Sequence, residues 1–126
     1  MNDKMVTKII IRIYCGREIA MGPGKADLLD AIKAHGSISG AGRAMGMSYR
    51  RAWLLVDTMN RCWKEQLVAT APGVAHGGGA RLTEFGAEVL AHYRGLQGRL
   101  DGSASCPDRV ALAKAILAEP RISQKA

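Results

Sequence analysis

The feature that constrains this chain most is the run from Gly36 to Trp53, Gly-Ser-Ile-Ser-Gly-Ala-Gly-Arg-Ala-Met-Gly-Met-Ser-Tyr-Arg-Arg-Ala-Trp, in which serine and glycine recur at short intervals. A serine hydroxyl accepts from the free N–H groups at a helix start, and glycine takes the left-handed backbone that ends a helix. The punctuation predicts a helix from Lys25 to His35 stopped by Gly36, and a short helix capped by Ser39 and stopped by Gly46. A longer helix follows, capped by Ser48 and running to about Trp63. Ala41 and Ala44 are small enough to let the short and long helices approach closely.

Two short helices joined by a tight glycine corner make a helix-turn-helix arrangement. In the longer helix Ala52, Val56, Met59 and Trp63 fall on one face at 3.6-residue spacing, with Arg50, Leu54, Asp57 and Arg61 opposite. The first set is expected in a core and the second is free to meet a partner. Trp53 and Trp63, among aliphatic neighbours, are both expected to be core.

The flanks are legible in the same way. Residues 5 to 14 are β-branched and predict a strand, with Lys8 and Arg12 on one face, and a turn at Cys15 to Glu18 leads to a second strand, Ile19 to Met21. Leu67 to Thr70 and Ala80 to Leu82 predict a second hairpin around a glycine-rich loop. A last helix is expected from Thr83, with an apolar stripe of Phe85, Val89, Tyr93, Leu96 and Leu100 that suits packing on its own domain or on a second copy. Gly95 and Gly98 each weaken that helix by about 1 kcal/mol relative to Ala. Asp101 to Pro107 reads as loop and Asp108 to Glu119 as a short amphipathic helix before a basic tail. The fold class is therefore mainly α with small β: a winged helix-turn-helix with an N-terminal hairpin and a long C-terminal dimerisation helix. Residues 1–100 form the domain and 101–126 an extension.

The formal charge of +7 favours a polyanionic partner. Residues 36 to 64 carry Arg43, Arg50, Arg51, Arg61 and Lys64 against Asp57 alone, whereas bases and acids nearly cancel from residue 83 onward. Three distant cysteines, Cys15, Cys62 and Cys106, imply no disulfide framework and a reducing, cytoplasmic setting. No membrane span is expected, because Arg12 interrupts the only isoleucine run. Gly22-Pro23-Gly24-Lys25 is not a phosphate loop, which requires Gly where Ile19 stands and Ser or Thr where Ala26 stands. The histidines and cysteines lack paired ligand spacing, so neither metal nor cofactor is expected. No nucleophile and base stand out, Ser37 and Ser39 near His35 being better explained as helix-end residues, so the chain is not expected to be an enzyme.

The run 36 to 53, with Met59-Asn60 and the glycine-rich loop leading to Leu82-Thr83-x-x-Gly86, resembles the DNA-binding domain of the ModE-type molybdate-responsive regulators. A looser similarity extends to the LysR-type helix-turn-helix. The resemblance covers roughly residues 5 to 100 and implies a dimeric winged helix whose recognition helix, here Ser48 to Trp63, enters the major groove of a palindromic operator. The sequence stops where that family's paired oxyanion-binding domains would begin, so molybdate sensing by this chain is not expected.

A groove-reading helix must present donors from its first turns, and Ser48, Tyr49, Arg50 and Arg51 occupy them. By helical projection Arg50 points most directly away from the core face and is assigned to base reading, and Arg51, to the side, to a phosphate. Leu54 shares the outward face. Ser37 and Ser39 precede the short helix, where a phosphate can be held, and His76 and Arg81 on the wing are placed to reach a neighbouring phosphate or the minor groove. Two other readings compete with duplex binding: a module that docks on a separate sensor protein, and an oxyanion sensor using the basic hairpin or a dimer cleft.

Overall fold

A computed structural model describes residues 7–71 and 79–124. The described residues are mainly α with small β: five helices and two antiparallel two-stranded sheets. Ile10–Leu96 forms one compact unit, and the described residues outside it form a second.

The first unit opens with β1 (Ile13–Cys15) and β2 (Glu18–Met21), paired antiparallel with Cys15 opposite Glu18. Gly16 turns the chain with φ +60°. The expected ten-residue first strand is much shorter, because its partner ends at Met21. Gly22 and Pro23 follow, and proline offers no N–H to extend a ladder. Residues 7 to 12 carry no strand, and Ile9 and Ile10 are exposed.

Helix α1 (Pro23–His35) begins on that proline and ends on Gly36, whose φ of +73° lets its N–H reach the Ile32 carbonyl. Helix α2 (Ile38–Ala44) is capped by Ser37, which accepts from the Gly40 N–H at 2.9 Å. Ser39, the expected cap, lies one residue inside the helix and accepts from Arg43 instead. Ile38 decides between them, since it must be helical to enter the core, where it is buried. A corner at Met45 to Ser48, with Gly46 at φ +72°, leads into α3 (Tyr49–Cys62). The Ser48 hydroxyl caps α3 by accepting from the Arg51 N–H at 3.1 Å.

The small residues at the α2–α3 crossing are Ala41 and Gly42, not Ala44, which is exposed. A Cβ on Gly42 would stand 3.3 Å from both the Ala52 Cβ and the Met47 carbonyl. Ala52, Val56 and Met59 are buried as the spacing predicts. Trp63 lies just past the helix end, half-buried, with its indole N–H donating to the Ala20 carbonyl at 3.1 Å. Trp53 departs from expectation and is 45% exposed.

Strands β3 (Val68–Ala71) and β4 (Gly79–Leu82) form the second hairpin; β3 lies one residue later than expected at both ends, and β4 starts one residue earlier. Asn60 ties α3 to it: its side-chain carbonyl accepts from Leu67 and Val68 N–H, and its amide donates to the Val68 carbonyl. The Ala80 N–H donates to the Gly36 carbonyl at 2.8 Å, fixing β4 against the turn before α2.

Helix α4 (Glu84–Gly102) starts at Thr83, whose hydroxyl donates to the Gln66 carbonyl and accepts from the Gly86 N–H. Leu90 and Tyr93 join the core beside Leu28, Leu29, Ile32, Met59, Leu67 and Val68, while Leu96 is exposed. Full burial of each large aliphatic side chain stabilises by about 1.5 to 3 kcal/mol, so this one cluster carries the unit. The Tyr93 hydroxyl donates to the Ile11 carbonyl, and Arg94 pairs with Asp27 and Asp30 of α1 at 2.8 and 2.6 Å.

In the second unit α5 (Pro107–Ala115) ends short of the expected Glu119. Arg109 is its buried cation: the guanidinium donates to the carbonyls of Leu100 and Thr7.

Candidate nucleic-acid interface

The first turn of α3 is built to hold its side chains outward. Gly46 turns the chain, Ser48 satisfies one helix-end N–H, and Ala52, Val56 and Met59 clamp the opposite face in the core. Tyr49, Arg50 and Arg51 are left exposed, and no described residue pairs with either guanidinium. Two uncompensated cations on a rigid cylinder can donate up to ten N–H bonds to acceptor oxygens or nitrogens.

The rest of the outward face is mixed. Tyr49 is 57%, Trp53 45% and Leu54 43% exposed. Trp53 was not legible as a surface residue from its neighbours, but its i+4 spacing from Tyr49 is a signal that could have found it. Farther along, Arg61 is already neutralised: it bonds Asp57 at 2.9 Å, and Glu18 lies 3.8 Å away. The hydrogen bond to Asp57 raises its pKa further. The free charge is thus concentrated at the front of α3.

Other sequence-predicted residues fall around this turn with different degrees of freedom. Ser37 and Ser39 sit at the start of α2, both engaged within the helix. Arg81 is exposed on β4, and His76 lies outside the described residues. Gly36, Ala80 and Arg81 border an open hollow of about 310 Å³ along the second hairpin.

The remaining titratable features lie elsewhere. Burial raises the pKa of the Cys62 thiol, and a hydrogen bond with Cys15 adds to this. All three cysteines are free. Burial likewise raises the Tyr93 hydroxyl. Among the described residues no three His, Cys, Asp or Glu side chains gather as a metal site, and no helix is long and apolar enough to cross a membrane.

The chain is 40% identical over 96 residues to the molybdenum-pterin-binding protein MopA of Rhodobacter capsulatus, covering 71% of the chain and 36% of that protein. It is 36% identical over 93 residues to the molybdenum transport protein ModE of Azotobacter vinelandii, covering 72% and 34%. The DNA-binding transcriptional dual regulator ModE of Escherichia coli (strain K12) is 33% identical over 89 residues, covering 71% and 34%. The chain is related to the ModE and Mop proteins. It spans about a third of the length of these relatives. No protein-family profile matches it.

Proposed function

We propose that this chain is a winged helix-turn-helix module of transcriptional control that binds duplex DNA as a homodimer. The observation that carries the reading is the front of α3, where Ser48 caps a helix that presents Arg50 and Arg51 unpaired to solvent. A relative named as a DNA-binding transcriptional dual regulator supports it. The names of the relatives tie the control to molybdenum.

In this reading α3 lies in the major groove. Arg50 reads a guanine edge, worth about 1 to 3 kcal/mol of discrimination, and Arg51, with Ser48 and Tyr49, takes backbone phosphates. Leu54 offers apolar contact to a thymine methyl. Ser37 and Ser39 each accept one internal bond and retain a hydroxyl proton for a flanking phosphate. The β3–β4 hairpin is the wing, on which Arg81 and His76 meet the adjacent backbone. Two copies related by a twofold axis would read an inverted repeat.

Fluorescence anisotropy with duplexes selected from a random pool tests this. Binding should weaken steeply with salt, Arg50→Ala should flatten sequence preference, and Arg51→Ala should weaken all duplexes alike and lower the salt slope by about one. Equal losses on every sequence for both variants would refute the assigned roles. The exposed Tyr49, Trp53 and Leu54 favour a second reading, docking on a separate protein. Salt-insensitive duplex binding, no tighter than that of an unrelated basic protein, would select it.

A further inference from the structure

A separate pocket of about 290 Å³ opens where the N-terminal hairpin, the start of α1 and the side of α3 meet. Its cations are Arg12, Lys25 and Arg51, its apolar wall includes Ile19 and Leu55, and no acid among the described residues lines it. No described residue makes a hydrogen bond or ion pair with any of the three cations. Glu18 acts on Lys25 from a distance, and lies 3.8 Å from Arg61. Burial lowers the Lys25 pKa, and the charge of Arg51 adds to this against the opposing fields of Cys62 and Glu18. The site therefore holds positive charge that the described residues leave uncompensated.

The backbone points the same way. The N-cap of α1 is Gly22, which supplies no side-chain cap, and no acid occupies the first turn. Pro23 has no N–H, while the N–H groups of Gly24 and Lys25 precede the first intrahelical bond, from Ala26 N–H to the Gly22 carbonyl. Two residues with uncapped N–H groups at the positive end of a helix, Gly24 and Lys25, thus line the same cavity as Arg12 and Arg51. A water takes about 30 Å³, so the pocket has room for a tetrahedral oxyanion with part of its hydration shell.

We propose that this pocket seats one phosphate-like oxyanion, gripped by Arg12, Lys25 and Arg51 and by the N–H groups of Gly24 and Lys25. The anion is either a backbone phosphate of a bound duplex, which rests on the DNA reading above, or a free inorganic oxyanion.

Titration of the ¹⁵N-labelled full chain with sodium phosphate, at ionic strength held constant with chloride, tests the seat directly. The amide resonances of Gly24 and residue 25 should shift saturably, and Lys25→Gln should abolish the shifts while leaving the remaining spectrum in place. Duplex binding by the same variant then separates the sources. Binding about fivefold weaker, with a salt slope lower by about one, assigns the seat to the DNA backbone, whereas unchanged duplex binding assigns it to a free anion. A chain that bound no duplex would refute the DNA reading, yet the phosphate titration would still decide the pocket. Shifts at these two amides no larger than elsewhere on the basic surface, or equally large in Lys25→Gln, would overturn the proposal.

Discussion

At Gly86 a Cβ would stand 2.1 Å from the Leu67 carbonyl oxygen, a backbone atom that cannot swing aside. The Thr-x-x-Gly sequence that starts α4 is thereby given a physical meaning: Thr83 caps the helix and Gly86 lets its first turn press against the segment before β3. Gly86→Ala should cost about 2 to 3 kcal/mol in urea unfolding, the price of overpacking. Gly95, where an added Cβ would meet no described atom within 4 Å, should behave oppositely, Gly95→Ala gaining about 1 kcal/mol. A gain at both positions would mean that helix propensity, not space, governs them. Residue-level legibility was uneven for a related reason. Arg50 could be placed outward by counting from Ala52, but Trp53 could not be placed by the character of its neighbours.

Among the elements, α3 depends on what holds its far end. Asn60 brackets the start of β3 with three hydrogen bonds, two of them to N–H groups of the buried Leu67 and Val68. Asn60→Ala leaves those donors without their partner and should cost about 3 kcal/mol, whereas Asn60→Asp keeps an acceptor and should lose less. Thermal unfolding of the two variants compares them, and equal losses would show that the Asn60 acceptor is not what holds the start of β3. Helix existence and order, and both glycine stops, were readable because caps and periodicity are local. The first strand was overestimated and the cap of α2 set two residues late, because strand length depends on a partner and the cap on whether Ile38 must be helical to reach the core.

For the molecule, the face that matters in the proposed assembly is the one beside α4. An apolar recess of about 240 Å³ there is lined by Ile13, Trp63, Val89 and Tyr93, with the exposed Leu96 at its edge. If a second copy covers this face, Leu96→Glu should convert a dimer to a monomer in sedimentation equilibrium without lowering the melting temperature of the monomer unit. A variant that stays dimeric would move the interface elsewhere. The Arg94 pairs with Asp27 and Asp30 join α4 to α1 within the first unit and keep that recess in register with the core.

Taken alone, the order of residues determined which helices form and in what order, where α1 and α2 stop, which face of α3 is apolar, and that basic residues crowd between positions 36 and 64, since each depends on neighbours within a few positions. The tertiary structure decided that Trp53 faces outward, that the first strand is short, that Gly86 lies against Leu67, and that Arg12, Lys25 and Arg51 share one pocket. Those outcomes turn on contacts between segments far apart in the chain, and no local pattern encodes which surfaces will meet.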